Sequence, residues 1–375
     1  MEEEIRYLKP EEKEKARALW SQAFFEDSEE FDNYYFTEKI KENQILVKEE
    51  DGRIISMVHL NPYKIRLKKQ VCEINYVVGV ATDKDRRHKG HMKDLLCRML
   101  QDGWKRGEPF TFLMPADKAI YEPFGFRFIY DKAKGHCKDL ADMGVIVKHQ
   151  AAAELIEDDK RLDQTACFME QWLSRRFQVF SIRDRAYVKN LMKELASENG
   201  QITFFFKEDR KREDQLEGIQ AVWGLEEAEQ RLLYVPDEWI EKVQTQPAIM
   251  GRIVNLKSFL SLFSLKDQEE SSLEVMLDVD DPLIPENNGL WIWKLSREGA
   301  EAEKIEGREK IDNREKTDSK RKGGGTEEFS CSVCQLLQWL MGYRKFKTVF
   351  SEKNQFPIWH EKIDIFQEIF LDEEV

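Results

Sequence analysis

The chain has 375 residues, of which 41% are hydrophobic and 35% are charged, and its formal net charge is -13 at pH 7. A chain of this length is longer than a single hydrophobic core usually supports, which predicts two or three domains. No apolar run approaches the ~20 residues that a membrane helix needs, and the pI near 5.2 argues against nucleic acid and favours a cationic partner.

The cysteines and the first residues bear on the cellular compartment. Six cysteines are scattered along the chain, and Cys331-x-x-Cys334 has no second CxxC or histidine pair to complete a zinc site. Reduced thiols of this kind are typical of the cytosol, and Met1-Glu-Glu-Glu is unlike a signal peptide. We therefore expect a cytoplasmic protein with no metal and no membrane contact.

The first part of the chain predicts two helices followed by a run of strands. The helices span about 11–24, after Pro10, and about 31–42. Asp51-Gly52 lies between two β-rich segments and is a strong hairpin signal. The predicted strands are Ile45–Lys48, Ile54–Leu60, Tyr63–Leu67, Val71–Thr82 and, after the next helix, Phe110–Met114.

The segment Tyr76–Leu96 takes a strand through a basic turn into a helix. After Gly90, apolar residues from Met92 to Leu100 recur at helical spacing and predict one buried face. Cations crowd the helix start, where they oppose the helix dipole. These residues are Arg86, Arg87, His88, Lys89, His91 and Lys93. Two interpretations stay open: a solvated basic turn, or a site where helix N–H groups and cations share a pyrophosphate.

Three motifs in this region resemble one enzyme superfamily. Arg87-His88-Lys89-Gly90-His91-Met92 resembles the Arg/Gln-x-x-Gly-x-Gly/Ala pyrophosphate loop of the GNAT acetyltransferases, and it follows a strand like that superfamily's fourth. Met92 replaces the usual small final residue, and a larger aliphatic residue is usual at this position in the enhanced-intracellular-survival (Eis) branch. Phe112–Ala116 and Ile120–Phe126 resemble the fifth strand and the tyrosine segment of that branch.

The resemblance implies an acetyl-CoA site at the end of the predicted strand. Free backbone N–H groups at the strand end hold the pantetheine arm, and amides of the basic turn bind the pyrophosphate. The implied cofactor-binding residues are Val80, Ala81, Thr82, Arg87, His88, Lys89, Gly90, His91, Met92 and Lys93. His88 and His91 have two open interpretations, as bases or as residues that serve the phosphate or solvent; the second is favoured.

Tyr121 resembles the general acid of the superfamily, which protonates the leaving thiolate of coenzyme A. The alternative is an aromatic core residue beside Pro123-Phe124-Gly125-Phe126.

The resemblance covers almost the whole chain and implies a mixed α/β (α+β) fold. We expect a GNAT acetyltransferase domain at 1–150, a degenerate GNAT-like domain without a cofactor at 151–246, and a sterol-carrier-protein-like domain at 247–375. Asn287-Asn288-Gly289 predicts a hairpin turn in the last domain. Residues 296–328 are rich in charge, end in Gly323-Gly-Gly325, and predict a disordered insertion.

The first two predicted helices carry aromatic and acidic side chains at the expected acceptor site. In the acceptor interpretation they bind a cationic amine through cation–π and carboxylate contacts, and in the alternative they are an ordinary amphipathic helix pair. The residues are Trp20, Phe24, Phe25, Tyr34, Tyr35 and Phe36, with Glu26, Asp27, Glu29, Glu30 and Asp32.

The sequence thus predicts an acetyl-CoA-dependent N-acetyltransferase that acts directly, in a ternary complex, on primary amines of an aminoglycoside, a polyamine or a lysine-like acceptor. The alternative is a catalytically silent scaffold that binds coenzyme A or an apolar ligand. Apolar residues continue from Ile363 to Leu371, which predicts a docked final segment. The Eis resemblance implies that the carboxylate of Val375 serves as the base opposite Tyr121, and that the protein forms a homo-oligomer, a trimer or a hexamer.

Overall fold

The computed structural model describes residues 3–140, 143–207, 215–224, 230–266, 271–305, 328–353 and 355–374. It has three packed units of mixed α/β structure, as predicted. No helix in these ranges is long and apolar enough to cross a membrane.

The first unit contains a twisted sheet with helices on both faces. Its elements are β1 (Glu3–Tyr7), α1 (Arg17–Ala23), α2 (Glu29–Thr37), β2 (Gln44–Glu50), β3 (Arg53–Leu67), β4 (Gln70–Thr82), α3 (His91–Arg106), β5 (Phe110–Leu113), α4 (Lys118–Tyr121) and β6 (Arg127–Cys137). Asp51 and Gly52 both have positive φ, 49° and 78°, which is the two-residue hairpin turn that the sequence predicts. The apolar face of α3 packs on one side of the sheet, and α1 and α2 pack on the other.

The first predicted helix differs from the structure. Residues Pro10–Ala16 form a 3₁₀ helix, and the α-helix begins only at Arg17. The run Pro-Glu-Glu-Lys-Glu-Lys has no apolar stripe of its own, and the apolar residues that pack into the core follow it, at Ala16, Leu19 and Trp20.

The second unit is a four-stranded sheet covered by two long helices. Its elements are β7 (Val145–Ala151), α5 (Ala152–Leu155), α6 (Asp159–Ser174), β8 (Val179–Ser181), α7 (Arg185–Ser197), β9 (Gln201–Lys207), β10 (Gln215–Val222) and β11 (Gln230–Tyr234). The sheet has the order β11-β10-β9-β7, whereas β8 pairs with β3 of the first sheet. The strand β7 therefore belongs to the second sheet, although we expected the first domain to extend to residue 150.

The third unit follows a long strand that returns to the first sheet. Its elements are β12 (Ile240–Ile253), α8 (Leu256–Leu260), β13 (Ser264–Leu265), β14 (Ser272–Asp280), β15 (Gly289–Ser296), β16 (Ala300–Lys304), β17 (Glu328–Ser332), α9 (Val333–Leu340), α10 (Phe346–Val349), α11 (Trp359–Lys362), β18 (Ile363–Asp364) and β19 (Ile369–Phe370). The strand β12 lies between β5 and β6, so the first sheet runs β1-β2-β3-β4-β5-β12-β6. The boundary that we expected at residue 246/247 falls inside this strand.

Two local expectations in the third unit need correction. Residues 281–288 form a longer connection between β14 and β15 with a 3₁₀ turn at Pro285–Asn287, so Asn287-Asn288-Gly289 is not a tight hairpin. The segment 296–305 is ordered, because β16 pairs with β15, although the insertion was expected to begin at about 296. The rest of that insertion, 306–327, lies outside the described residues.

Candidate active site

The strands β4 and β5 diverge at the centre of the first sheet. They pair, in parallel, only at Tyr76 and Phe112. Beyond Tyr76, the edge of β4 that faces β5 has no strand partner among the described residues. Alternate backbone N–H groups along this edge therefore have no strand partner there, and the contacts of Val80, Ala81 and Thr82 with a ligand stay a prediction.

A β-bulge bends β4 at this opening. The pairing with β3 shifts register between Met57–Ala81 and His59–Val78. Gly79 lies in the bulge with φ +58°, and a Cβ there would stand 2.5 Å from a ring carbon of Trp20. Only glycine fits this position, because both the backbone conformation and the indole exclude a side chain.

The basic loop Arg87–Lys93 follows the opening and leads into α3. His88 and Gly90 have φ of 62° and 87°, and Gly90 is the N-cap, with no side chain capping the helix. The first intrahelical bond is donated by Asp94 to the Gly90 carbonyl, at 3.0 Å. The N–H groups of the preceding first turn therefore remain free to bind an anion.

The side chains of the basic loop are mostly exposed. Arg87, His88, Lys89 and Lys93 are exposed, and the space where a Gly90 Cβ would stand is open. Arg87 donates from Nε to the Thr82 carbonyl at 3.3 Å, which ties the loop to the end of β4.

The next two positions of the loop turn inward. The His91 side chain is buried and Met92 packs against the core under α3, so these two residues can contribute only backbone groups to a ligand. A catalytic role for the His91 imidazole is disfavoured for the same reason.

Tyr121 ends α4 in the core below the opening. It shares a cluster with Val77 of β4 and Leu113 of β5, and its ring meets Phe126 edge-on at 5.9 Å between centroids. Burial raises the pKa of Tyr121 to about 12, so the phenol keeps its proton at neutral pH. The position agrees with both interpretations, a core aromatic and a proton donor.

Val375 lies outside the described residues, so its predicted role stays a prediction. The residues before it, Ile369–Glu374, are called the tail below. β19 of the tail pairs in parallel with β8, and Leu371, Asp372 and Glu373 are buried.

An interdomain cavity of about 420 Å³ lies where the tail meets β3, the end of α2 and α7. Its lining includes Tyr63, Tyr187, Glu194, Arg231 and Glu373. The Tyr63 ring lies 6.1 Å from that of Tyr76, the residue at which β4 and β5 diverge. The cavity thus approaches the opening from the side away from the basic loop.

The charges of the cavity are balanced. Its acidic lining residues are Glu38, Glu42, Asp184, Glu194 and Glu373, and its basic ones are Lys39, Lys41, Lys64, Lys193 and Arg231. Several form ion pairs with each other, such as Lys193 with Glu38 at 2.5 Å and Lys39 with Glu194 at 3.6 Å. Burial raises the pKa of Glu194, an effect that Lys39 and Arg231 oppose.

A separate acidic cluster lies at the start of α2. Asp27 accepts a hydrogen bond from the Trp20 indole at 3.0 Å, and burial, with help from Asp32 and Glu198, raises the pKa of Asp27. Asp32 is buried, and its Oδ1 has no hydrogen-bond partner within the described ranges.

The aromatic residues of the two helices divide into two groups. Trp20, Tyr34, Tyr35 and Phe36 are core residues, as in the amphipathic interpretation, whereas Phe25 is exposed.

Sequence patterns did not indicate that residues of the second unit and of the tail would line the cavity. Glu194, Arg231 and Glu373 are isolated charged residues in helix, strand and tail segments. A charged residue within a short apolar strand, such as Arg231 in Gln230–Tyr234, is the only local signal. The six cysteines are free thiols, and the described residues include no cluster of three or more ligands for a metal ion.

Comparison with known proteins identifies the two ends of the chain. The family described as "Acetyltransferase (GNAT) domain" matches residues 4–129. The first unit of this chain is therefore a GNAT acetyltransferase domain. The family described as "Sterol carrier protein domain" matches residues 256–351, and no curated protein matches.

Solved structures share the fold of the whole chain. A probable N-acyltransferase of Enterococcus faecalis V583 is 17% identical with a TM-score of 0.72, over 98% of this chain and 99% of that one. A GCN5-related N-acetyltransferase of Kribbella flavida is 12% identical with a TM-score of 0.66, over 100% and 99%. Eis1 of Mycobacterium abscessus is 13% identical with a TM-score of 0.63, over 99% and 100%. The predicted Eis-like architecture is therefore confirmed.

Proposed function

We propose that this GNAT-type protein transfers the acetyl group of acetyl-CoA to a primary amine of a small cationic acceptor, within a ternary complex. The observation that carries the proposal is the opening between β4 and β5, which ends at the uncapped start of α3 and its exposed basic loop.

The residues of this opening fit acetyl-CoA. Free N–H groups of the first turn of α3, with Arg87, Lys89 and Lys93, suit a pyrophosphate, and the open space at Gly90 allows its close approach. The edge of β4 toward Thr82 suits the amides of a pantetheine arm. Acetyl-CoA supplies the thioester whose carbonyl carbon the acceptor amine attacks.

Tyr121 serves as the general acid in this proposal. Its raised pKa keeps the phenol protonated, and a protonated phenol can deliver its proton to the thiolate of coenzyme A. The location of Tyr121 beside Val77 and Leu113, on the strands that form the opening, supports the role.

The acceptor approaches from the side of the second unit. The cluster of Asp27, Asp32 and Glu198 suits an ammonium group, because Asp32 Oδ1 is buried without a hydrogen-bond partner in the described part of the chain. Aminoglycosides, polyamines and lysine-like amines all carry the ammonium groups that this cluster would bind. The interdomain cavity has balanced charges, so it suits the uncharged polar part of such a molecule better than it suits further ammonium groups.

The proposal includes a cytosolic location and a homo-oligomeric state, a trimer or a hexamer. The free cysteines support the first. The resemblance of the sequence motifs to the Eis family is the support for the second.

A thermal-shift measurement with acetyl-CoA, followed by thiol release with a panel of amines, tests the function. Acetyl-CoA at 100 times its Kd should stabilise the protein by about 2.7 kcal/mol. Thiol release should then require both acetyl-CoA and an amine. No stabilisation at concentrations well above micromolar would contradict the proposal.

The sterol carrier match favours one alternative, a scaffold that binds coenzyme A or an apolar ligand without turnover. The interior of that unit is filled by large buried side chains, including Trp293, Trp339, Phe346 and Phe350. The family match is therefore the main support for the scaffold. Stabilisation by acetyl-CoA without thiol release for any amine would favour the scaffold.

A further inference from the structure

The tail belongs to the third unit and contacts the other two. Its β19 pairs with β8 of the second unit, and β8 pairs in turn with β3 of the first sheet. Gln178 and Val179, at the start of β8, both donate backbone hydrogen bonds to the Glu368 carbonyl, at 2.8 and 3.1 Å. The tail is therefore an edge strand of the first sheet that the third unit supplies.

Arg183 binds both carboxylates that follow this strand. Its Nη1 donates to Glu373 Oε1 at 2.6 Å, and its Nη2 pairs with Asp372 Oδ1. The guanidinium also lies 4.1 Å from the centre of the Tyr187 ring. The planar Arg183 guanidinium donates one N–H group to each of the two carboxylates and so restrains Asp372 and Glu373 together. A lysine has no such rigid fork of donors and would restrain them less firmly.

The two remaining carboxylate oxygens are also satisfied. Tyr187 donates to Glu373 Oε2 at 2.8 Å, and Tyr234 donates to Asp372 Oδ2 at 3.2 Å. Arg231 donates to the Asp372 carbonyl at 2.9 Å. The side chains of Arg183 and Glu373 are 0% and 1% exposed, so each depends on the other for compensation of its charge.

The charged groups that face Glu373 come from several elements. Burial alone would raise the pKa of Glu373, but Arg183, Arg231 and its hydrogen bonds outweigh burial and hold it below the usual value. Lys39 and Glu194 pair nearby. Lys132 of β6 binds Glu374, the next residue of the tail.

This ion cluster forms one wall of the interdomain cavity. Glu373, Tyr187 and Arg231 belong both to the cluster and to the lining. If the tail separated from Arg183, the cavity would lose that wall and the ordered carboxylate in it. A tail held only by apolar packing would satisfy stability equally well, because buried ion pairs add little net free energy.

We propose that Arg183 is a positioning residue of the acceptor site, which fixes the tail so that Glu373 forms a wall of the cavity that binds the acceptor. The inference rests on the proposed function, because it takes the interdomain cavity as part of the acceptor site. Acceptor binding then depends on an ionic contact between the second and third units.

The first test compares Arg183→Met and Arg183→Lys with a matched control, Arg185→Met. Arg185 lies two residues further, is exposed, and pairs with Asp159 and Asp163 away from the tail. Hydrogen exchange of the amides in the tail should rise at least tenfold in Arg183→Met, rise less in Arg183→Lys, and stay unchanged in Arg185→Met. Unchanged exchange in a folded Arg183→Met protein would overturn the contact as a determinant of tail position.

The second test is kinetic and is made well below the unfolding temperature of each variant. We expect the KM for the acceptor to rise at least tenfold in Arg183→Met, with the KM for acetyl-CoA within twofold of the wild-type value and partial recovery in Arg183→Lys. A purely structural role would lower the folded fraction, and hence the apparent kcat, at unchanged KM values. That result would overturn the positioning role.

A variant with less buried charge guards against misfolding. In Arg183→Met the two acids lose their shared cation, so we add Asp372→Asn to remove one of them. Asp372 does not line the interdomain cavity, and the double variant should recover stability without recovering the acceptor KM. Full recovery of the acceptor KM would overturn the proposal. If the wild-type protein releases no thiol with any amine, the proposed function fails, and the positioning role fails with it, whatever the exchange data show.

Discussion

Replacement of Gly90 by valine tests the acetyl-CoA site most directly. Gly90 has φ +87°, and nothing lies within 4 Å of the place where its Cβ would stand. Valine would therefore meet no protein atom, but its backbone would be strained by about 1–2 kcal/mol in the left-handed region. Its side chain would also project into the space where the pyrophosphate is proposed to bind.

The effect on acetyl-CoA follows from the hydrogen bonds at stake. Each bond from a first-turn N–H to a charged phosphate contributes about 1.5–3 kcal/mol. Loss of one such bond predicts a rise of about 10–100-fold in the KM for acetyl-CoA, since 1.4 kcal/mol corresponds to a factor of ten. The kcat should change much less, because the loop is proposed to bind the pyrophosphate, which lies away from the reacting thioester.

Gly52→Val is the matched control. Gly52 has φ +78° with open space around its Cβ position, in the β2–β3 hairpin and outside the basic loop. Both variants should lose about 1–2 kcal/mol of unfolding free energy in urea, but only Gly90→Val should change the KM for acetyl-CoA in a thiol-release assay. Normal acetyl-CoA kinetics in a folded Gly90→Val protein would refute the assigned site.

Three further predictions address chemistry, pH and assembly. Tyr121→Phe should lower kcat by roughly 100-fold at unchanged KM for acetyl-CoA, and wild-type kcat should show no limb from Tyr121 below about pH 11; wild-type turnover in Tyr121→Phe would exclude it as the acid. Burial, with Lys13 nearby, lowers the pKa of His59 to about 3, so protonation favours the unfolded state. Stability should fall as the pH drops from 6.5 toward 3, by up to about 1.4 kcal/mol per pH unit from this group, and His59→Gln should make the fall less steep in urea titrations; equal slopes would contradict this. Light scattering should give a mass well above the 44.5 kDa of one chain, and that monomer mass across micromolar concentrations would end the prediction of an oligomer.

The acidic end of the chain shows why some sequence signals cannot be interpreted in isolation. Asp372, Glu373 and Glu374 are more acidic than a buried strand favours, so taken alone they indicate a solvated end of the chain. In the structure these side chains make the docking contacts, because the buried cations Arg183 and Lys132 form ion pairs with them. The partners lie 189 and 242 residues away, so no local pattern connects them.

The sequence by itself determined the features that depend on neighbours within about one element. The hairpin at Asp51-Gly52, the helix after Gly90 and the basic loop follow from backbone preferences and from the spacing of apolar residues. These preferences act over a few residues, and the structure changes only their ends, as at Pro10–Ala16.

Only the tertiary structure decided which distant segments meet. In it, β12 lies between β5 and β6, and β7 belongs to the second sheet. The interdomain cavity forms where α7, β3 and the tail meet. A strand edge accepts any segment with suitable backbone and side-chain pattern, so pairing across a hundred residues depends on which edges remain free after all others have paired. Buried charges such as Arg183 and Glu373 then occur together because each is stable in the interior only with the other in place.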